Sequence, residues 1–130
     1  MLQLKSLLKV SDNTGISLVE FIRVITSKKK VKVGDVLLVI LKNFYKQVKG
    51  RQSKKIKRGL KGQLSKAIVI HIKKIFMRID RSYSKFFNNS IILLNKNLMP
   101  LGTRLLGCVS YDFLDFKTNR RFKSVMNKLF

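Results

Sequence analysis

The sequence predicts a mainly β domain, an antiparallel barrel or a sandwich of short strands. Its apolar segments are short, Gly, Asn, Asp or Lys-rich stretches separate most of them, and no long helical pattern lies between them. At 130 residues the chain suits a single domain, with the strands over about 1–100 and a helical portion over about 101–130. Ser17 to Thr26 is rich in Val, Ile and Phe, and Val36 to Leu41 is a continuous apolar run introduced by Gly34-Asp35. The cleanest alternation runs from Ala67 to Lys73, with Ile68, Ile70 and Ile72 on one face and Val69, His71 and Lys73 on the other. Ile91 to Leu94 forms a further strand, closed by Asn95-Lys96-Asn97. Beyond Pro100 and Gly102 the spacing changes. Phe122, Val125, Met126 and Leu129 follow the period of one helical face and predict short helices within Asp112 to Phe130.

Charge dominates the composition: 29 Lys and Arg stand against 6 Asp and Glu, a net charge of +23. Such a surface repels itself and requires a polyanion, either nucleic acid or an anionic membrane. The longest apolar run, Val36 to Leu41, is far short of the roughly 20 residues that span a bilayer. A membrane-surface protein favours a basic amphipathic helix, whereas the cations here lie in loops and between strands. No membrane and no homo-oligomer are expected. Cys108 is the single cysteine, which excludes an internal disulfide. Heavy use of Lys, Asn, Ile, Leu and Phe, with one Ala and one Pro, is the bias of AT-rich coding found in small organellar genomes.

Catalytic chemistry is poorly supplied. His71 is the only histidine, and its place in an alternating strand reads as a packed or hydrogen-bonded ring. Cys108, between Gly107 and Val109, suits a small buried thiol. Six scattered carboxylates suggest neither a hydrolytic pair nor a metal site. No Walker or dinucleotide glycine motif is present. No catalytic residue, metal or cofactor is expected.

Phosphate binding is well supplied. The stretch from Lys46 to Lys66 carries nine basic residues (Lys46, Lys49, Arg51, Lys54, Lys55, Lys57, Arg58, Lys61 and Lys66) and no acid. It cannot bury enough apolar surface to order itself, so it reads as an extended loop that orders against phosphate. Lys28-Lys29-Lys30, Lys73-Lys74 and Arg120-Arg121 spread further cations along the chain. Each phosphate neutralised releases counterions, so affinity grows with their number. Neither a recognition helix nor zinc fingers are evident, and a barrel with a basic loop suits the irregular surface of folded RNA.

Three stretches together resemble the universal large-subunit ribosomal protein fourteen family. Val10-Ser11-Asp12-Asn13-Thr14-Gly15 is similar to its V-x-D-N-S-G turn. Val33-Gly34-Asp35 with its apolar strand is followed by Lys66-Ala67-Ile68-Val69-Ile70. Most specific is Pro100-Leu101-Gly102-Thr103-Arg104-Leu105-Leu106-Gly107-Cys108-Val109, where the family reads P-x-G-T-R-I-x-G-P-V; Asn89-Ser90 through Leu93-Leu94-Asn95 precedes it. The likeness spans nearly the whole chain. It departs where Phe87-Asn88 replaces an Asp-Gly, where glycines are missing between Met77 and Phe86, and where Cys108 replaces a proline. The basic loop is also longer and more positive.

The resemblance implies a five-stranded barrel with small C-terminal helices, a structural part of the large ribosomal subunit. It implies large-subunit rRNA, neighbouring large-subunit proteins and, through intersubunit bridges, small-subunit rRNA as partners, with a subunit anti-association factor as a further one. The expected rRNA contacts are Asn13, Thr14, Lys28, Lys29, Lys30, Lys49, Arg51, Lys54, Lys55, Lys57, Arg58, Lys61, Lys66, Lys73 and Lys74. Thr103, Arg104, Arg120 and Arg121 are expected to face the small subunit or a factor. Since the likeness begins at Gln3, a protein made inside a mitochondrion and working in its matrix is expected, ahead of a plastid or a reduced bacterium. The alternative function is a free RNA-binding barrel or RNA chaperone, which would carry outward-facing strand aromatics for base stacking.

Overall fold

The computed structural model describes residues 2–26, 30–45, 61–78, 80–113, 122–126 and, for the backbone alone, 128–129. Strands β1 (Leu7–Val10), β2 (Ile16–Val24), β3 (Val36–Phe44), β4 (Leu64–His71) and β7 (Ser90–Leu94) close a barrel in that order. Between β4 and β7, β5 (Phe76–Met77) and β6 (Tyr83–Ser84) pair as a small hairpin outside the barrel. A closed ring with an odd number of strands cannot alternate direction throughout. One neighbouring pair must be parallel, and here it is β1 with β7, in register at Lys9↔Ser90 and Val10↔Ile91.

Leu8, Val10, Val19, Phe21, Leu37, Val39, Leu41, Ala67, Val69, Ile91 and Leu93 fill the interior. In β3 these positions alternate, as period two requires. In β2 the inward residues are Ile16, Val19 and Phe21, with Val24 packed behind them, so steps of two and three are mixed. Register shifts at Ile16/Leu18, Leu18/Val19 and Phe21/Arg23 account for the extra residues. A similar shift between Val69 and His71 corrects the expected alternation of β4. Ile68 and Ile70 share the outer face, but Ile72 crosses to the inner core.

A second apolar layer lies outside the barrel, over β4 and β7. Ile68, Ile70, Ile92 and Leu94 pack there against Leu105, Val109, Phe113 and Phe122 from the C-terminal segment. All five residues of β7 are buried, and Ile91–Leu94 accordingly reads as a continuous apolar run. Phe113 and Phe122 meet edge to face, with ring centroids 5.6 Å apart.

The C-terminal helices are corrected to lone turns among the described residues. A 3-10 turn spans Tyr111–Phe113 and another spans residues 122–125. Leu129, counted on the helical face, belongs instead to β9 (Lys128–Leu129), which pairs in parallel with β8 (Cys108–Val109). An isolated helix this short is marginal, while the edge of β8 offers unpaired backbone groups. Cys108 is also corrected: its thiol is exposed. In a two-residue strand only one side chain faces inward, and Val109 takes that place.

Phe113 is fully buried where the outer layer converges. Phe113→Ala is expected to lower stability by about 3–5 kcal/mol, measured by urea unfolding. A loss below about 1 kcal/mol would show that the outer layer is not part of the cooperative core.

Candidate nucleic-acid interface

The turn between β1 and β2 is built on a buried carboxylate. Asp12 is 1% exposed, and its Oδ1 accepts the Thr14 backbone N–H at 2.9 Å together with the Thr14 hydroxyl. Its Oδ2 accepts the Leu93 N–H of β7 at 3.0 Å. Gly15 completes the turn at φ 81°, where an L side chain would be strained. Beside Asp12, Asn13 turns its amide onto residues 102–104. Its Nδ2 donates to Thr103 Oγ1 at 2.8 Å, and its Oδ1 accepts the N–H groups of Thr103 at 2.9 Å and Arg104 at 3.3 Å. Leu106 N–H donates to Ser11 O at 2.7 Å, and Asp12 and Leu105 form a β-bridge.

Gly102 makes this approach possible. A Cβ there would lie 2.9 Å from both Asp12 Cβ and Asn13 Oδ1. Its role is to leave space for Asp12 and Asn13. The arrangement fixes the backbone of Arg104 while leaving its side chain exposed, with no carboxylate partner among the described residues. Asn13 and Thr14, expected to touch rRNA, direct their side-chain polar atoms to partners inside the protein.

The described acids are all engaged. Glu20 pairs with Lys42 at 2.6 Å across β2 and β3. Asp35 accepts the Lys32 N–H at 2.7 Å and the Thr26 hydroxyl at 3.2 Å, holding the β2–β3 turn. Arg78 Nε donates to both oxygens of Asp112 (3.0 and 2.9 Å) and its Nη2 to Ser110 Oγ (2.9 Å), tying the β5–β6 hairpin to the C-terminal segment. Asp80 closes a local turn on Ser82, whose hydroxyl and N–H hold the carboxyl below the usual range.

Among the described residues these two ion pairs, Lys42–Glu20 and Arg78–Asp112, are the only ones. No other described cation has a carboxylate partner among the described residues. Lys30 and Lys32 meet Lys74 around a cleft of about 190 Å³ lined by Val31, Ile72, Phe76 and Met77. Lys73 is next to it in the chain. Lys66 and Lys96 line a second depression, of about 340 Å³, and Lys61 lies in the turn leading into β4. Among the described residues, the predicted cations thus fall into separate groups. Lys28, Lys29, Lys49, Arg51, Lys54, Lys55, Lys57, Arg58, Arg120 and Arg121 lie outside the described residues. Phe21 is buried and Phe44 packs against the core, so neither offers an outward stacking face. The described residues contain no group of three or more His, Cys, Asp or Glu able to hold a metal.

His71 is packed and hydrogen-bonded, as read from the strand. Its Nε2 lies 2.6 Å from the Cys108 carbonyl, which fixes the proton on that nitrogen, and its ring stacks on Phe86 at 4.2 Å. Burial pushes its pKa below the ordinary 6.5, and the bond to Cys108 only partly offsets this. The unfolded chain therefore binds the proton more readily, so stability falls as pH drops through 6.5 towards the lower folded value. Urea unfolding at pH 7.5 and 5.5 is expected to show a larger loss for the native chain than for His71→Gln. Equal losses would contradict this.

Comparison with known proteins places the chain. It is 37% identical over 112 residues to a Schizosaccharomyces pombe protein named large ribosomal subunit protein uL14m, covering 86% of each chain. It is 33% identical over 129 residues to an Acanthamoeba castellanii protein of the same name, covering 98% of this chain and 95% of that one. The family model described as ribosomal protein L14p/L23e matches residues 1–127. With a closed five-stranded barrel and that match over nearly its full length, the chain belongs to the ribosomal protein L14p/L23e family.

Proposed function

We propose that this chain acts by position, as a structural part of the large subunit of a mitochondrial ribosome. Family membership supports a structural, non-enzymatic role with rRNA and ribosomal proteins as partners. The names of both relatives and the AT-type composition support the mitochondrial setting, in the matrix. The cations without acidic partners anchor the barrel to rRNA phosphates, and their separate groups suit several RNA helices better than one. The loop carrying Thr103 and Arg104 faces outward, to the small subunit through bridges or to an anti-association factor.

One observation carries the last assignment: Asn13 fixes the backbone of Thr103 and Arg104 against a buried turn, while the Arg104 side chain stays exposed. A cation preorganised this way is suited to a phosphate or a carboxylate on a partner. Arg104→Glu is expected to leave large-subunit assembly intact and to weaken subunit joining or factor binding by roughly ten-fold, since a reversed charge repels the same partner. Light scattering of mixed subunits and a factor titration measure both. Normal joining together with normal factor affinity would contradict the assignment.

A further inference from the structure

We infer that Phe87 is a stacking platform for an unpaired base of the RNA on which the barrel docks, an inference that rests on the rRNA-binding reading above. Phe87 is 96% exposed, the most exposed of the described large hydrophobic side chains. A bare aromatic of this kind gains nothing from the fold. Its backbone, however, is closely held. Phe86 stacks on His71 at 4.2 Å on one side of it. On the other, Asn89 takes the Lys73 N–H at its side-chain oxygen (2.9 Å) and the Lys9 N–H at its carbonyl (3.1 Å). The ring is therefore presented from a short, doubly anchored loop.

The surroundings name the chemistry of the occupant. Phe87 borders a depression of about 200 Å³ shared with Lys9, His71, Asn88 and Leu106, with no carboxylate in its lining. The loop adds Lys85, and the bonds of Asn89 hold Lys9 and Lys73 beside it. A protein partner would meet an apolar ring among lysines. An RNA nucleotide meets a ring for its base, the Asn88 amide for its base edge and ammonium groups for its phosphates. Charge complementarity favours the nucleotide.

The test uses the full chain and two synthetic RNA hairpins, one with a single bulged adenosine and one fully paired, titrated by fluorescence anisotropy across a salt series. The native chain is expected to prefer the bulged hairpin. Phe87→Ala should bind it about ten-fold more weakly, with an unchanged salt slope, because stacking releases no counterions. Phe87→Tyr should keep the preference, and Phe87→Leu, apolar but without a π face, should lose it. Native-like binding by Phe87→Ala or Phe87→Leu would overturn the inference. So would an equal loss on both hairpins. If Phe87→Ala binds both hairpins normally yet washes off large subunits in salt, the ring serves a protein neighbour. The hairpin titration needs no ribosome, so its failure is distinct from failure of the large-subunit reading, which sedimentation reports.

Discussion

The carboxylate of Asp12 joins parts of the chain that are far apart in sequence. One oxygen holds the turn that separates β1 from β2, and the other takes the Leu93 N–H, 81 residues later, across the parallel seam that closes the barrel. Three donors converge on its two oxygens, from the Thr14 N–H, the Thr14 hydroxyl and the Leu93 N–H. Buried donors left without such an acceptor would each cost about 1–3 kcal/mol. Asn13 extends the same turn to residues 102–104, and Gly102 permits the contact by lacking a side chain. Barrel closure and the geometry of the exposed loop thus share one polar centre.

That centre also clarifies the charge distribution. The few described acids do structural work: a buried hub, two turns, a cross-strand pair and a tie between hairpin and C-terminal segment. Anionic side chains are used where the fold needs acceptors, and cations remain where the protein needs an external polyanion. The separation suits a protein whose surface is completed by RNA. Its apolar material follows the same economy, since one inner core and one outer layer over β4 and β7 account for the buried hydrophobic residues among those described.

Much of the barrel was legible from residue patterns. The strands at β3, β4 and β7 and the turn glycines at 15 and 34 follow from period two and turn chemistry. The pattern misled where extra residues enter a ladder, as at Ile72, because a bulge is invisible without its partner strand. It misled again at Phe122 to Leu129, where three apolar residues fit a helical face but the edge of β8 draws Leu129 into a strand. Cys108 failed for a related reason: a strand of two residues carries no periodicity from which to tell its inner side. At the interface, the outward place of Arg104 was expected only through the family resemblance. The clamp from Asn13 was not legible, because its partners lie 90 residues away. Phe87 was noticed only as a departure from the family's loop; its near-complete exposure depends on how Phe86 and Asn89 are held.

The central claim is that this chain is an integral part of a large ribosomal subunit, held there by its cations. Sedimentation of a tagged copy through a sucrose gradient after a high-salt wash tests it most directly. Recovery of the chain in the large subunit and the monosome, resistant to the wash, is the predicted result. Recovery only at the top of the gradient, or release at modest salt, would contradict the account and favour a free RNA-binding barrel.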